Sequence, residues 1–444
     1  MWGRFTLLLA CAFLTTILPA QAQLTPHTAI SEMGRGINLG NTLEPPFESA
    51  WNNGPAQEHY FDDYKAAGFA TVRIPVRWDE HTADTAPFAV DAVWMDRVET
   101  VVDWALARDL YVILNAHHED WLKQGYGNAT LRDRFDSIWQ QVAERFQGKS
   151  EKLLFEIINE PFGMTREQVD DLNARILQII RQTNPTRLVI YSGDEYSSAA
   201  RMMAAAIPDD DFVLAYFHAY DPWNFAGLGQ QRWGTEADRA AVTDLFQEVA
   251  DWSAASGIPV MISEFGAIRD TDFGDRMPFY AAYVEEAIKH GIAFQVWDDG
   301  GMFEVYNRDT RTWNEEKDIL INVFPDGPTA LEAEVVGDTL VALTWTNRSL
   351  AATSVIVERR RLGGDVRELE LVAKSQELLE AKRSRLFALV DNKVAETRLL
   401  AAQGIIAAEY PEHTAQTGFD KQRLGLLERL VSLSFFAAPP ADSQ

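Results

Sequence analysis

Cysteine is almost missing from this chain, with one in 444 residues. That residue, Cys11, lies in the N-terminal stretch MWGRFTLLLACAFLTTILPAQAQ. One basic residue, Arg4, precedes an apolar run from Phe5 to Leu18, and Ala20-Gln21-Ala22 follows as a small-residue cleavage site. This is the pattern of a secretory signal peptide over residues 1–22. The run is shorter than the ~20 apolar residues of a membrane span, so no membrane anchor is expected. A mature chain beginning at Gln23 has no thiol, which excludes thiolate catalysis, disulfides and thiolate metal sites together. Such a chain is expected to be secreted, extracellular or periplasmic, and to depend on a large apolar core. Positive charge is scarce as well: 40 Lys and Arg stand against 66 Asp and Glu, a formal charge of −26. Nucleic acid and anionic membrane surfaces would be repelled and are excluded as partners. A doubly wound open sheet, the alternative α/β architecture, would advertise a Gly-rich first turn, and no G-x-G-x-x-G or P-loop follows any strand-like run; no cofactor is expected. The paired His117 and His118 lack a third ligand at metal-site spacing, and no metal is expected.

What is present is a repeating pattern. Hydrophobic residues make up 47% of the chain, enough for a globular fold. From residue 36 to about 325, short runs rich in Val, Ile and Phe alternate with segments of helical periodicity. The strand-like runs are Gly36–Asn41, Thr71–Val76, Tyr111–His117, Leu153–Glu160, Arg187–Gly193, Phe212–Tyr220, Pro259–Gly266 and Ala293–Asp298. A clear helical stretch is Val90–Leu110, with Val98, Val101, Val102 and Ala105 on one face. Eight buried parallel strands alternating with helices predict an α/β fold, a (β/α)8 TIM barrel over residues 23–325.

A turn-rich seam, Phe324-Pro325-Asp326-Gly327-Pro328, ends that pattern. Beyond it Leu331–Val336, Leu340–Thr346 and Ser354–Arg359 read as β-strands. This stretch resembles a fibronectin type III module, a small β-sandwich expected over residues 329–410, with Trp345 on its second strand. Asp365–Ala402 is rich in Glu, Leu, Ala and Lys and is equally compatible with helix. Residues 411–444, with an amphipathic piece at Leu424–Leu430, are expected to form a flexible tail.

In a barrel of this kind the chemistry comes from the C-terminal ends of the strands. Those ends carry Asn41 and Glu44, Arg73, His117 and His118, Asn159 and Glu160, His218 and Tyr220, Glu264, and Trp297. The end of strand five, Tyr191–Asp194, receives no role. Two glutamates across one rim, with aromatics around them, suit the cleavage of a glycosidic bond. One carboxyl protonates the leaving oxygen while the other attacks or activates water. Glu156 shares the strand parity of Glu160 but lies deeper, and is expected to form a structural ion pair. Trp51, Trp121, Trp223 and Trp233 follow strands, where half would face sugar rings and half would pack loops. Asp79 and Glu119 read as solvated rim charges.

The motifs GFATVRIPVRW (Gly68–Trp78), NAHHED (Asn115–Asp120), FEIINEP (Phe155–Pro161), FHAYDP (Phe217–Pro222) and ISEFG (Ile262–Gly266) occur in that order. With INLGNTLEPP near the start and QVWDDGG near the end, they resemble glycoside hydrolase family 5 over roughly residues 33–324. The resemblance is nearest to its endo-β-1,4-glucanase members. It implies a secreted, retaining, endo-acting cellulase with Glu160 as acid/base and Glu264 as nucleophile. Arg73 and Tyr220 would hold Glu264 ionised, and Glu160 would stay protonated in less positive, desolvated surroundings. Asn159 would bind the sugar 2-hydroxyl, and the three histidines would orient carboxylates or hydroxyls. Trp297 would floor the cleavage point, Asn41 and Glu44 would reach a more distant sugar, and Trp233 would add a stacking face. The partner implied is a β-glucan, acted on by a monomer. Two departures touch substrate contacts: Asp298-Asp299 follows Trp297 where many relatives have Glu, and the loop WNFAGLGQQRW lacks an additional histidine. A β-mannanase or xyloglucanase using the same chemistry is the alternative. A carbohydrate-binding barrel without turnover, or an adhesion protein carrying the C-terminal module, are rivals from other classes.

Overall fold

The computed structural model describes residues 23–323 in full and, beyond them, the backbone of strands at 329–336, 340–346, 355–361, 364–369, 384–386 and 435–437. The apolar runs become eight strands: β1 (Arg35–Asn38), β2 (Thr71–Ile74), β3 (Tyr111–Asn115), β4 (Leu153–Glu156), β5 (Val189–Tyr191), β6 (Val213–His218), β7 (Val260–Phe265) and β8 (Ala293–Val296). They close in sequence order into a barrel, each parallel to the next, with β8 paired back to β1. The expected runs overshoot most strands by two or three residues at their C-terminal ends. There the chain leaves the ladder, and the surplus residues become the rim loops.

Helices wrap the outside. The periodic stretch at 90–110 forms the helix Ala92–Leu106, with the Asp91 side chain accepting from the Trp94 N–H at its start. Its apolar face, Val98, Val101, Val102 and Ala105, is fully buried. A helix that the apolar pattern did not announce, Pro26–Met33, starts at Thr25, whose hydroxyl accepts from the Thr28 N–H. Its Ala29, Ile30 and Met33 join Ile113, Leu154, Ile190, Leu214 and Met261 in one buried cluster, closing the N-terminal end of the barrel. Among the described residues no helix is long and apolar enough to cross a membrane.

The β6–β7 ladder slips by one residue. Phe217 pairs with Ile262, but His218 pairs with Glu264, leaving Ser263 as the extra residue of a bulge. Further on, the strand Thr329–Val336 pairs antiparallel with Leu340–Thr346, and Val355–Arg361 pairs with Gly364–Leu369 and with Phe435–Ala437. The signal-peptide segment, the seam at 324–328, the Trp345 side chain, the rest of 370–402 and the amphipathic piece at 424–430 lie outside the described residues.

Candidate active site

Arg73 organises the rim. It sits on β2 with no exposure and spends all three guanidinium nitrogens. Its Nε and Nη2 donate to the two oxygens of Glu156 at 2.8 and 2.6 Å. Nη2 also donates to Asn159 Oδ1 at 2.7 Å, and Nη1 to Asn38 Oδ1 at 3.0 Å and Glu264 Oε1 at 2.6 Å. Glu156 is thus the structural ion-pair partner that its depth suggested, and Asn115 Nδ2 adds a further donor at 2.9 Å. A buried network of this kind is tolerable because its members are hydrogen-bonded.

Glu264 receives a second hydrogen bond, from the Tyr220 hydroxyl at 2.9 Å. Burial, then the Glu264 charge, hold that phenol protonated far above its ordinary value, so it remains a donor. Across the rim, Glu160 Oε1 lies 2.9 Å from His218 Nδ1, and His218 Nε2 lies 2.9 Å from Ser263 Oγ. The β7 bulge allows this: it brings Ser263 to the imidazole and Glu264 to Arg73 from adjacent positions. His218 Nδ1 is also 3.6 Å from Glu264 Oε2. One ligand atom each of Glu160, His218 and Glu264 lies within 4.8 Å of the others. These are the described groups whose spacing could hold a cation, and Arg73 already brings a positive charge to them.

The proton distribution differs from the expected one. Burial raises Glu160, but the hydrogen bond and charge of His218, followed by Lys123 and Arg73, bring it below the usual carboxyl value. For Glu264, burial outweighs His218 and Arg73, and its carboxyl lies above that value. The expected order was the reverse. The causes differ: the hydrogen bond and charge of His218, 2.9 Å from Glu160, set the first, and burial sets the second. Arg73 at 2.6 Å and Tyr220 at 2.9 Å remain as donors to an ionised Glu264.

His117 and His118 are kept neutral. Burial drives His117 well below the ordinary histidine range and takes His118 down to about 4. Asn115 Nδ2 meets His117 Nδ1 at 3.2 Å, which leaves Nε2 to carry the proton. The His117 ring lies parallel to Trp297, 8° apart in plane with centroids at 5.8 Å. Gly40, in the loop after β1, permits the chain to approach this tryptophan, since a Cβ there would lie 2.8 Å from the Asp298 carbonyl and 3.0 Å from Trp297 Cζ2. Asn41 is half-buried at the rim, and its amide donates to Asn52 Oδ1 at 2.8 Å. His118 meets Trp51 edge-on at 5.5 Å.

Three expected placements are corrected. Glu44 has no exposure; its carboxylate turns back to accept from the N–H groups of Asn41 and Thr42, so it braces its own loop instead of facing the cleft. Trp233 is buried between Phe225 and Phe279 and belongs to the core. Glu119 is no solvated charge: it is fully buried, accepting from the Trp78 N–H at 3.0 Å and Trp121 Nε1 at 2.6 Å. Burial pushes Glu44 and Glu119 each up to about 7. Asp79 is half-buried and raised by burial. Of the four loop tryptophans, Trp121 and Trp233 pack, whereas Trp51 and Trp223 are 40% and 51% exposed.

Sequence reasoning missed Asn38, Asn115, Ser263 and Tyr216. The Tyr216 hydroxyl donates to the Ile158 carbonyl at 2.6 Å and accepts from the Glu160 N–H at 3.2 Å and Ser197 Oγ at 2.9 Å. That supplies the missing role of the fifth strand end: Ser192 Oγ holds the Tyr216 carbonyl at 2.7 Å. Strand parity with His218 was the available signal for Tyr216.

Comparison with known proteins agrees with this geometry. Residues 33–301 match the family described as Cellulase (glycosyl hydrolase family 5). The chain belongs to that family. It is 48% identical over 309 residues to Endoglucanase H of Acetivibrio thermocellus, covering 68% of this chain and 34% of that protein. It therefore spans about a third of that relative's length. Endoglucanase B of Clostridium cellulovorans is 32% identical over 350 residues, covering 69% and 80%. Among solved structures, a tri-modular family 5 (subfamily 4) endo-β-1,4-glucanase of Bacillus licheniformis, complexed with cellotetraose, aligns with a TM-score of 0.67 at 34% identity, covering 75% and 68%. Endoglucanase Cel5A of Thermotoga maritima aligns at 0.65 and 30%, covering 67% and 100%.

Proposed function

We propose that the chain is a secreted endo-β-1,4-glucanase that cleaves with retention through a glycosyl-enzyme. The carrying observation is that an oxygen of Glu160 and one of Glu264 approach within 4.8 Å. That closeness suits carboxyls ~5–5.5 Å apart, the retaining separation, better than the ~6.5–9.5 Å of an inverting pair. Glu264, held by Arg73 and Tyr220, attacks the anomeric carbon. Glu160 gives the leaving oxygen the proton of its hydrogen bond with His218, then takes one from water in the second step. Arg73 occupies Asn159 Oδ1, so Nδ2 is the group that donates to the sugar 2-hydroxyl. Trp297 forms the floor, with Asn41, His118 and the exposed Trp51 and Trp223 along the cleft. The C-terminal strands are read as a fibronectin type III-like module.

The relatives named endoglucanase support glucan as substrate. A specific observation keeps mannan as second reading: a Thermotoga maritima Cel5A structure is described in complex with a mannotriose substrate. One experiment tests both. Purified protein is assayed on β-glucan, mannan, xylan and xyloglucan, and the first-formed anomer is followed by NMR. Fastest turnover on β-glucan, viscosity falling ahead of reducing ends, and a β-anomer are expected. An α-anomer would remove the covalent mechanism, and fastest turnover on mannan would replace the substrate.

A further inference from the structure

Lys123 is costly to bury and touches none of the reacting groups directly, although its charge is felt at Glu160. It lies in the short helix Asp120–Gly125 after β3, and its side chain is 1% exposed. A buried ammonium costs several kcal/mol unless well paired. Its carboxylate partner, Asp120 at 3.6 Å, is itself 51% exposed, a weak match. The other two contacts are more telling. Nζ donates to the His117 carbonyl at 3.2 Å and sits 4.9 Å from the centroid of the Phe162 ring. One buried charge therefore ties the end of β3, where the two histidines stand, to the segment after β4, where Glu160 stands.

That segment needs holding. Glu160 has φ +40°, a conformation disfavoured for a side-chain-bearing residue and more so for one that precedes proline. The Phe162 N–H donates to the Glu160 carbonyl at 2.6 Å, so the ring beneath Lys123 belongs to the residue that pins this turn. Strain of this kind persists only where the surroundings over-determine it.

We propose that Lys123 is a positioning residue for the proton-donating step, holding Glu160 in its strained turn through Phe162 and setting a fixed positive charge on that flank. The inference rests on the acid/base role of Glu160. The charged and titratable groups that act on Glu160 are His218 from β6, Glu264 from β7, Arg73 from β2, Lys123 and His118 after β3, and Tyr220 after β6. Facing Lys123 are Asp120, Glu119 and Glu160. A cation favours the ionised carboxyl, so its removal raises the pKa of Glu160 and lets the acid form survive to higher pH.

The test compares kcat/KM of wild type, Lys123→Met, Lys123→Arg, Phe162→Leu and Glu160→Ala on soluble β-glucan and on 2,4-dinitrophenyl β-cellobioside. The aryl leaving group needs little protonation. For Lys123→Met, a fall of about 10-fold or more on glucan is expected, with the aryl substrate within about 2-fold, as a defect confined to acid catalysis requires. The basic limb of its pH profile should move upward. Lys123→Arg should restore most of both. Phe162→Leu should reproduce the substrate-selective loss with the limb unmoved. Wild-type behaviour of Lys123→Met, or equal loss on both substrates with an unmoved limb, would overturn the proposal. If Lys123→Met does not fold, Phe162→Leu decides: selective loss supports it, and uniform or absent loss overturns it. If Glu160→Ala itself is not substrate-selective, the role of Glu160 fails rather than that of Lys123.

Discussion

The two ends of the barrel are built on opposite principles from the same strands. At the N-terminal end, Ile113, Leu154, Ile190, Leu214 and Met261 pack against Ala29, Ile30 and Met33 of the helix Pro26–Met33. Two residues further along the same strands, Asn115, Glu156 and His218 (the last beyond Tyr216) enter the hydrogen-bonded network around Arg73 and Glu264. Apolar burial at one end stabilises at ~25 cal/mol per Å². At the other end, charges are desolvated at a cost that only mutual pairing offsets. The first end is built for endurance, and the second gives up stability for chemistry.

The largest effect should come from the polar end. With Glu264 as the proposed nucleophile, Glu264→Ala should abolish turnover on every substrate, and azide should then give an α-glycosyl azide from an activated aryl β-cellobioside. Glu160→Ala should lower glucan cleavage by ~10²–10⁴ while activated aryl substrates still react, with azide giving the β-product. Product stereochemistry read by NMR checks both, and exchanged outcomes would exchange the two roles.

Stability should separate the ends next. Arg73→Met strips the countercharge from two buried carboxylates and should cost ~3–5 kcal/mol in denaturant unfolding together with most activity. Met33→Ala at the other end should cost a comparable ~2–5 kcal/mol through a cavity yet leave kcat within about 2-fold, as a contact remote from the reacting atoms permits. A kcat collapse in folded Met33→Ala would erase the contrast drawn between the ends.

The smallest effect concerns pH. Glu119 titrates near 7 in the fold against an ordinary value of 4.5. Between those values the native state holds a proton that the unfolded chain has released, so stability falls as pH rises across that window. Glu119→Gln should flatten this part of the melting-temperature profile; a profile parallel to wild type from pH 4.5 to 7 would show that Glu119 does not titrate there. Glu44, also near 7, acts in the same window and remains in both proteins.

The eight strand runs, the barrel they predict and the rim glutamates were legible in the chain alone. Parallel strands buried on both faces must be continuously apolar, and a barrel puts its chemistry at their C-terminal ends. The inward parity of Glu156 follows from the same periodicity, whereas the partnership of Arg73 and Tyr220 with Glu264 was what the family resemblance implied. Loop residues carry no such rule, which is why Glu44 and Glu119 fold inward and Trp233 joins the core against expectation, while Trp51 and Trp223 remain at the surface. The helix Pro26–Met33 escaped because eight residues make too little periodicity to stand out. Only the tertiary structure placed the bulge at Ser263, and with it the imidazole between the two carboxyls. A proton's position depends on distances of a few ångströms between groups 58 and 45 residues apart, and those distances exist only once the barrel has closed.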